Sequence, residues 1–268
     1  MHAPGSFLKK TALVTGGGTG LGLEVSKRLG RLGAAVACAS RDPSHHAELL
    51  ADGERMGYEV VSIQLDVRES DSVREAVAAV VERFGSLDVL VNNAAGNFIR
   101  PSLKLAPKGW RAVIDIALTG VFYCSQAAGR VMIEQGSGVI VNVTAPYAET
   151  GMPGVIHSVC AKAGVNAMTK TLAAEWGPLG VRVNAISPGP FHSQGAQVRL
   201  WPTEELENQM RESVPLKRFG ETGEVAGGVV WLCSPAAAYC NGTILNMDGG
   251  WLLGGAGLDV NVVRRDRG

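Results

Sequence analysis

The residues best suited to chemistry begin at Thr15-Gly16-Gly17-Gly18-Thr19-Gly20-Leu21-Gly22. Glycines at this density let a backbone turn tightly and let a phosphate approach it. The run follows Thr11-Ala12-Leu13-Val14, an apolar stretch that reads as a strand. Beyond it Val25, Leu29 and Leu32 recur at helical spacing, with Gly33 as the stop. Strand, glycine turn and helix in that order make a nucleotide-phosphate site. Gly16, Thr19, Gly20 and Leu21 are its expected cofactor-binding residues. The glycines alone would also suit a surface turn; the flanking strand and helix favour the phosphate site.

The next chemistry lies at strand ends. Ala34-Ala35-Val36-Ala37-Cys38-Ala39 reads as a second buried strand that runs into Ser40-Arg41. Sites that take NAD place an acidic residue near this point, to hold the ribose 2′-hydroxyl. A serine and an arginine suit a 2′-phosphate instead, so the expected cofactor is NADPH. Asp42 follows, its side chain free to face away, and a solvated loop arginine is the plainer alternative for Arg41. A third strand, Glu59 to Leu65, ends at Asp66-Val67, where a carboxylate could accept from an adenine amine. Leu87 to Val91 leads into Asn92-Asn93-Ala94-Ala95-Gly96-Asn97-Phe98. The small residues there, with Asn93, Ala94 and Gly96 as expected cofactor contacts, permit close backbone approach to a ligand.

Elements that position these residues alternate along the chain. Helical patterns run over 43–57, 70–85, 110–131, 161–175 and 221–233, and further strands over 138–143, 181–186 and 243–247. No linker, repeat or low-complexity tract interrupts them. Alternation of this kind predicts an α/β fold, one doubly wound parallel sheet with helices on both faces, spanning 1–268 as a single domain. Active groups then belong beyond the carboxyl ends of the strands, where the loops at 40–41, 66–67, 92–98, 144–160 and 187–215 converge. Within the last of these, 191–215 carries Leu200, Trp201, Leu206 and Met210, and reads as a flap over an apolar substrate or as a surface helical insert.

Composition excludes several classes. Lys plus Arg and Asp plus Glu both number 25, which gives nucleic acid no electrostatic purchase. Met1 to Lys10 has no signal-peptide core, and no run reaches transmembrane length, so no membrane partner is expected. The five cysteines are scattered and suit reduced core thiols; no histidine pattern suggests a metal site. His45-His46 reads as an exposed helix start and His157 as solvent-facing. A cytoplasmic or otherwise reducing compartment is the expectation. Trp176, Trp231 and Trp251 read as packing residues, and Asp248-Gly249-Gly250 as a turn at the sheet edge.

Taken together, the glycine run, Asn92-Asn93-Ala94-Ala95-Gly96, Lys162-Ala163-Gly164-Val165, Ser187-Pro188-Gly189 and Asp248-Gly249-Gly250 resemble the short-chain dehydrogenase/reductase family over roughly 8–252. The resemblance adds Pro188 and Gly189 to the cofactor contacts, implies that Lys162 bonds the nicotinamide ribose, and implies a homotetramer. The family's usual tyrosine stands four residues before the lysine, where this chain has Ser158. Its usual serine, thirteen residues earlier still, is Ala145 here, and its helical asparagine is Ala117.

These departures form a set. Asn92 to Phe98, Asn142 to Gly151 and Ser158 to Gly177 resemble the 2,4-dienoyl-CoA reductase branch of mitochondrial and peroxisomal type. In that branch the tyrosine lies fifteen residues before the lysine, the separation of Tyr147 from Lys162. The resemblance implies an acyl-CoA substrate reduced through a dienolate, with Tyr147 and Asn97 donating to the thioester oxygen. Lys162 would fix the cofactor and Ser158 would line the site. Other readings of these residues are a packed loop ring for Tyr147, a turn cap for Asn97 and a surface charge for Lys162. Cys160 reads as a core or lining thiol, because no histidine stands at a useful spacing. A general carbonyl, 3-oxoacyl or sugar oxidoreductase with a rearranged site, and a cofactor-binding member without turnover, are the alternative functions.

Overall fold

The structure, a computed structural model, describes residues 5–192 and 203–253. Strands and helices alternate as β1 (Thr11–Thr15), α1 (Gly20–Arg31), β2 (Ala35–Ser40), α2 (Ala47–Met56), β3 (Val60–Gln64), α3 (Ser70–Phe84) and β4 (Val89–Asn92). They continue as α4 (Pro107–Ile114), α5 (Gly120–Glu134), β5 (Gly138–Val143), α6 (Tyr147–Thr150), α7 (Ile156–Trp176) and β6 (Val181–Pro188). The described chain closes with α8 (Glu204–Ser213), α9 (Thr222–Cys233) and β7 (Ile244–Met247). All seven strands pair in parallel, in the order β3-β2-β1-β4-β5-β6-β7.

Alternation along each strand divides the core between two faces. Ala12 and Val14 of β1 pack with Val25 and Leu29 of α1 and with Val225 and Val229 of α9. Leu13, between them, joins the opposite face with Val77 of α3, Cys124 and Met132 of α5 and Leu172 of α7. The expected doubly wound sheet, covered by helices on both sides, is therefore the observed fold. The chain winds outward from β1 to β3, then returns to β4 on the other side of β1. That reversal leaves a crevice beyond the carboxyl ends of β1 and β4.

Four local expectations change. The helical pattern over 110–131 is α4 and α5 joined through a π turn at Asp115–Thr119, which carries the buried Ala117. With its flanking residues that stretch, 107–135, is long and apolar enough to span a membrane by composition, yet half of its most apolar window is buried in the fold. The helix expected over 161–175 begins at Ile156, so Ser158 and Lys162 share α7. His45 and His46 end a short 3-10 turn, Pro43–His46, whose N-cap Asp42 accepts from Ser44 N–H. His46 is fully buried there, whereas His45 is exposed.

Cysteines 38, 124 and 233 are buried as expected, but Cys160 is exposed. On α7 it sits on the solvent side, away from Ser158 and Lys162, which are buried. Among the described residues no cluster of His, Cys, Asp or Glu could hold a metal. Leu200 and Trp201 of the expected flap lie outside the described residues, as do Gly254 to Leu258 of the stretch from Trp251 to Leu258, whose apolar sequence is expected to favour association of copies.

Candidate active site

A crevice of about 440 Å³ opens at the β1–β4 reversal, lined by the glycine turn, the ends of β2 and β3, the 93–97 turn and the start of α7. Gly16 adopts φ +63°, a conformation open to glycine at little cost. A Cβ on Gly22 would fall 2.1 Å from the Gly16 carbonyl, so the turn closes onto α1 only with glycine at both places. Thr15 clamps the neighbouring turn, its hydroxyl accepting from the N–H groups of Asn93 and Ala94 at 3.0 Å. Asn93 in turn donates its amide to Thr15 O at 3.0 Å.

Of the expected cofactor residues, Gly16, Thr19, Gly20, Leu21, Ser40, Arg41, Asp66, Val67, Asn93, Ala94, Gly96 and Lys162 all line this crevice. Pro188 and Gly189 line the adjoining cavity instead. Arg41 is exposed, and its guanidinium makes no hydrogen bond or ion pair among the described residues, though its charge acts on the nearby Asp66 carboxylate. Asp66 is engaged by Arg68, whose guanidinium pairs with both carboxylate oxygens and holds the carboxyl below the usual range. Its expected bond to an adenine amine would share those oxygens with Arg68. Ser40 Oγ donates to Asp42 O at 2.9 Å and contacts His46 Nε2 at 2.7 Å.

These groups suit a dinucleotide. The glycine turn and first turn of α1 present N–H groups to a pyrophosphate. Arg41 offers a 2′-phosphate a fork whose donors make no hydrogen bond among the described residues, and Lys162 lines the same crevice.

A second cavity, of about 220 Å³, adjoins the first and is mostly apolar. Met152, Phe191, Met210 of α8 and Trp251 supply much of its wall. Trp251 is therefore a cavity residue and not only the packing residue expected; its indole N–H also donates to Ser213 Oγ at 3.1 Å. Asn93, Ala95, Asn97, Tyr147 and Lys162 line both cavities and mark their junction.

At that junction the four expected catalytic residues meet. Tyr147 follows β5 on the one-turn helix α6, and its hydroxyl lies 3.0 Å from Ser158 Oγ on α7. Asn97 uses its carbonyl to accept Phe98 N–H at 2.9 Å, which leaves its amide to act on the nearby Tyr147 phenol. Burial pushes the phenol above its ordinary value, while the Ser158 and Asn97 bonds act in the other direction. Lys162 donates from Nζ to Val143 O at 2.7 Å, and burial pulls its ammonium down to about 8. The plainer readings of Tyr147 and Lys162, a packed loop ring and a surface charge, do not describe these side chains; Asn97 does cap its own turn as well as reaching Tyr147.

Two buried histidines were missed by sequence reasoning. His157, expected in solvent, is buried beside Ser158, accepts Ser158 N–H on Nδ1 at 2.8 Å and meets the Phe98 ring edge-on at 4.5 Å. Asp248 does support a turn, accepting from the N–H groups of Gly250 and Leu252 at 2.9 Å.

Residues 16–252 match the sequence family described as Enoyl-(Acyl carrier protein) reductase. A Bacillus subtilis relative, named a probable 2,4-dienoyl-CoA reductase producing (2E)-enoyl-CoA, is 43% identical over 91% of this chain and 97% of its own length. An Arabidopsis thaliana protein named peroxisomal 2,4-dienoyl-CoA reductase, producing (3E)-enoyl-CoA, is 36% identical over 91% of this chain and 85% of its own. A crystal structure of a short chain dehydrogenase from Bacillus anthracis superposes with a TM-score of 0.80 at 43% identity, covering 91% of this chain and 96% of that one. Relatives from Pongo abelii and Danio rerio, 36% and 35% identical, carry the same peroxisomal name as the Arabidopsis protein. These names overturn the expectation of a cytoplasmic location. Reduced thiols do not separate cytoplasm from peroxisome, because both compartments keep them and a peroxisomal address is a short receptor-read tag, not an apolar segment. The sheet, the crevice, the family match and the identities agree: the chain belongs to the short-chain dehydrogenase/reductase family of NAD(P)H-dependent oxidoreductases, with well-identified relatives in its 2,4-dienoyl-CoA reductase branch.

Proposed function

We propose that the protein uses NADPH to reduce a 2,4-dienoyl-CoA or a related enoyl-CoA thioester. The observation that carries this reading is the junction of the two cavities, where the Tyr147 phenol replaces the group missing at position 158 and stands 3.0 Å from Ser158 Oγ. NADPH, when bound, supplies the hydride, delivered to the δ carbon of the conjugated thioester. Charge then collects on the thioester oxygen as a dienolate, and donors aimed at that oxygen lower the barrier more than a strong acid elsewhere would. Ser158 can donate its only proton to the Tyr147 oxygen, which leaves the phenol proton for the substrate. Asn97, with its carbonyl already engaged by Phe98 N–H, offers its amide from the other side. Lys162, anchored on Val143 O, holds the ribose end and adds positive charge beside the enolate.

Protonation of the dienolate at the α carbon gives a (3E)-enoyl-CoA, and at the γ carbon a (2E)-enoyl-CoA. The donors gathered at the oxygen end support α protonation, with bound water as the proton source. The apolar second cavity takes the acyl chain, with α8 covering it through Met210. The working protein is a homotetramer assembled through the exposed apolar side of α4, α5 and α7.

The test is NADPH oxidation with a dienoyl-CoA, an enoyl-CoA and a 3-oxoacyl-CoA, with the double-bond position of the product read by NMR. Turnover fastest on the dienoyl-CoA, with a 3-enoyl product, is expected. Turnover confined to the 3-oxoacyl-CoA would replace this reading by a carbonyl reductase.

A further inference from the structure

His46 is a neutral histidine buried between two hydroxyls, with its ring outside both cavities. Its Nε2 lies 2.7 Å from Ser40 Oγ and its Nδ1 lies 2.6 Å from Ser62 Oγ. A hydroxyl has one proton to give. Ser40 gives its proton to Asp42 O at 2.9 Å, so His46 Nε2–H must donate to Ser40. His46 Nδ1 must then accept from Ser62. The bonds therefore run in one direction, from β3 through the imidazole to the end of β2: Ser62 to His46, His46 to Ser40, Ser40 to Asp42. Burial, and to a lesser degree the neighbouring His45, hold the imidazole below its ordinary range, in keeping with the neutral ring this arrangement needs.

Three features place the chain of bonds around Arg41. Ser40 and Asp42, the residues on either side, are both held by it, and Asp42 is held again by Ser44 N–H at 2.9 Å. Gln64 of β3 donates to Arg41 O at 3.3 Å. The histidine turn also packs on the phosphate loop: a Cβ on Gly18 would lie 2.5 Å from His45 O and 2.9 Å from His46 Cδ2. The guanidinium of Arg41 makes no hydrogen bond or ion pair among the described residues, with only the charge of Asp66 nearby, on a backbone fixed at both neighbours.

We infer that His46 is a positioning residue for cofactor selection: through Ser40 it sets the backbone that aims Arg41 at the 2′-phosphate of NADPH. An arginine–phosphate pair depends on the direction of a planar fork, so a displaced backbone weakens it more than it would a point charge. NADH has no 2′-phosphate and gains nothing from this alignment. The inference rests on the NADPH reading and deepens it.

The test measures dissociation constants for NADPH and NADH in the unmodified protein and five variants. Arg41→Ala checks the NADPH reading itself. His46→Leu removes both bonds of the imidazole. Ser62→Ala removes only the distant donor, from an exposed position on β3 outside the crevice, where loss of a hydroxyl leaves folding intact. His46→Leu is expected to weaken NADPH about tenfold and NADH less than twofold. Ser62→Ala is expected to weaken NADPH about threefold with NADH unchanged, and to add nothing to His46→Leu in the double variant. His46→Gln, which keeps a donor toward Ser40, should recover most of the NADPH affinity. If the unmodified protein binds both cofactors equally, the NADPH reading fails. If it prefers NADPH and Arg41→Ala removes the preference, while His46→Leu and Ser62→Ala leave it intact or weaken both cofactors equally, this inference alone fails.

Discussion

Tyr147 and Ser158 share one hydrogen bond, but their acidities differ too much for them to share one role. A phenol has an unperturbed pKa of about 10, far below that of an aliphatic hydroxyl. Tyr147→Phe keeps the ring and removes the donor proposed for the thioester oxygen. It should lower kcat on a dienoyl-CoA by about 10²–10³ while NADPH affinity stays within twofold. Ser158→Ala should cost roughly tenfold or less, because the phenol can still donate. A crippled Ser158→Ala beside a near-normal Tyr147→Phe would rule out the mechanism proposed here. Lys162 sets an alkaline limit. Burial lowers its ammonium to about 8, so the cation is present below that pH and is lost as pH rises through it. The kcat/KM profile should therefore fall above about 8. A profile flat to pH 10 would show that the charge of Lys162 is not used. Arg41→Ala belongs to the same scale: a preference for NADPH over NADH of about tenfold, roughly 1.4 kcal/mol, should largely disappear in the variant.

Between elements, the cofactor side of the sheet is braced by a carboxylate that takes no part in the chemistry. Asp52 of α2 is buried and accepts from Arg31 of α1 at 2.7 and 3.1 Å and from Tyr58 OH at 2.7 Å, with Arg55 as a further partner. The Tyr58 ring lies against α1, where a Cβ on Gly30 would come within 2.2 Å of it. The Arg31 hydrogen bond is the main reason the Asp52 carboxyl falls to about 2. A depressed carboxylate contributes stability that is fully present above its unfolded pKa of about 3.9. That contribution is lost as pH falls through about 2. Both arginines reach solvent, so the contribution is about 1–2 kcal/mol after screening. Asp52→Asn should lower unfolding free energy by that amount in urea titrations at pH 7, with the gap to the unmodified protein closing between about pH 4 and pH 2. An equal gap at both ends of that range would mean that the charge is not what Asp52 contributes.

For the whole molecule, the parallel sheet gathers both cavities beyond the carboxyl ends of its strands, and the helices leave an apolar surface elsewhere. Trp110, Phe122 and Ile156, on α4, α5 and α7, are 36%, 41% and 42% exposed. Large apolar side chains shared by neighbouring helices favour association of copies. Light scattering at micromolar concentration should give the mass of a tetramer of the 28.0 kDa chain. Phe122→Glu should shift that mass toward smaller species, while a monomer mass for the unmodified protein would refute the assembly proposed here.

Sequence alone determined the layers and the cofactor crevice, because both are written in local pattern. Strand and helix periods are read within windows of a few residues, and the glycine run needs only its flanking strand and helix to declare itself. The crevice residues from Gly16 to Gly96 follow from the rule that strand ends converge. Tertiary structure decided what each polar group does. Tyr147 and Ser158 stand eleven residues apart in the chain and meet only because α6 and α7 pack together. His46 and His157 are polar in any sequence window, so both read as exposed; burial of His46 requires hydroxyls at positions 40 and 62, which come from two different strands. Trp251 joins Phe191 and Met210 on one cavity wall across about 60 residues of chain. Local pattern fixes which elements form, because it is set by backbone geometry and burial within each element. Partners and protonation depend on long-range packing, which brings distant side chains within 3 Å and removes the water that would otherwise satisfy them.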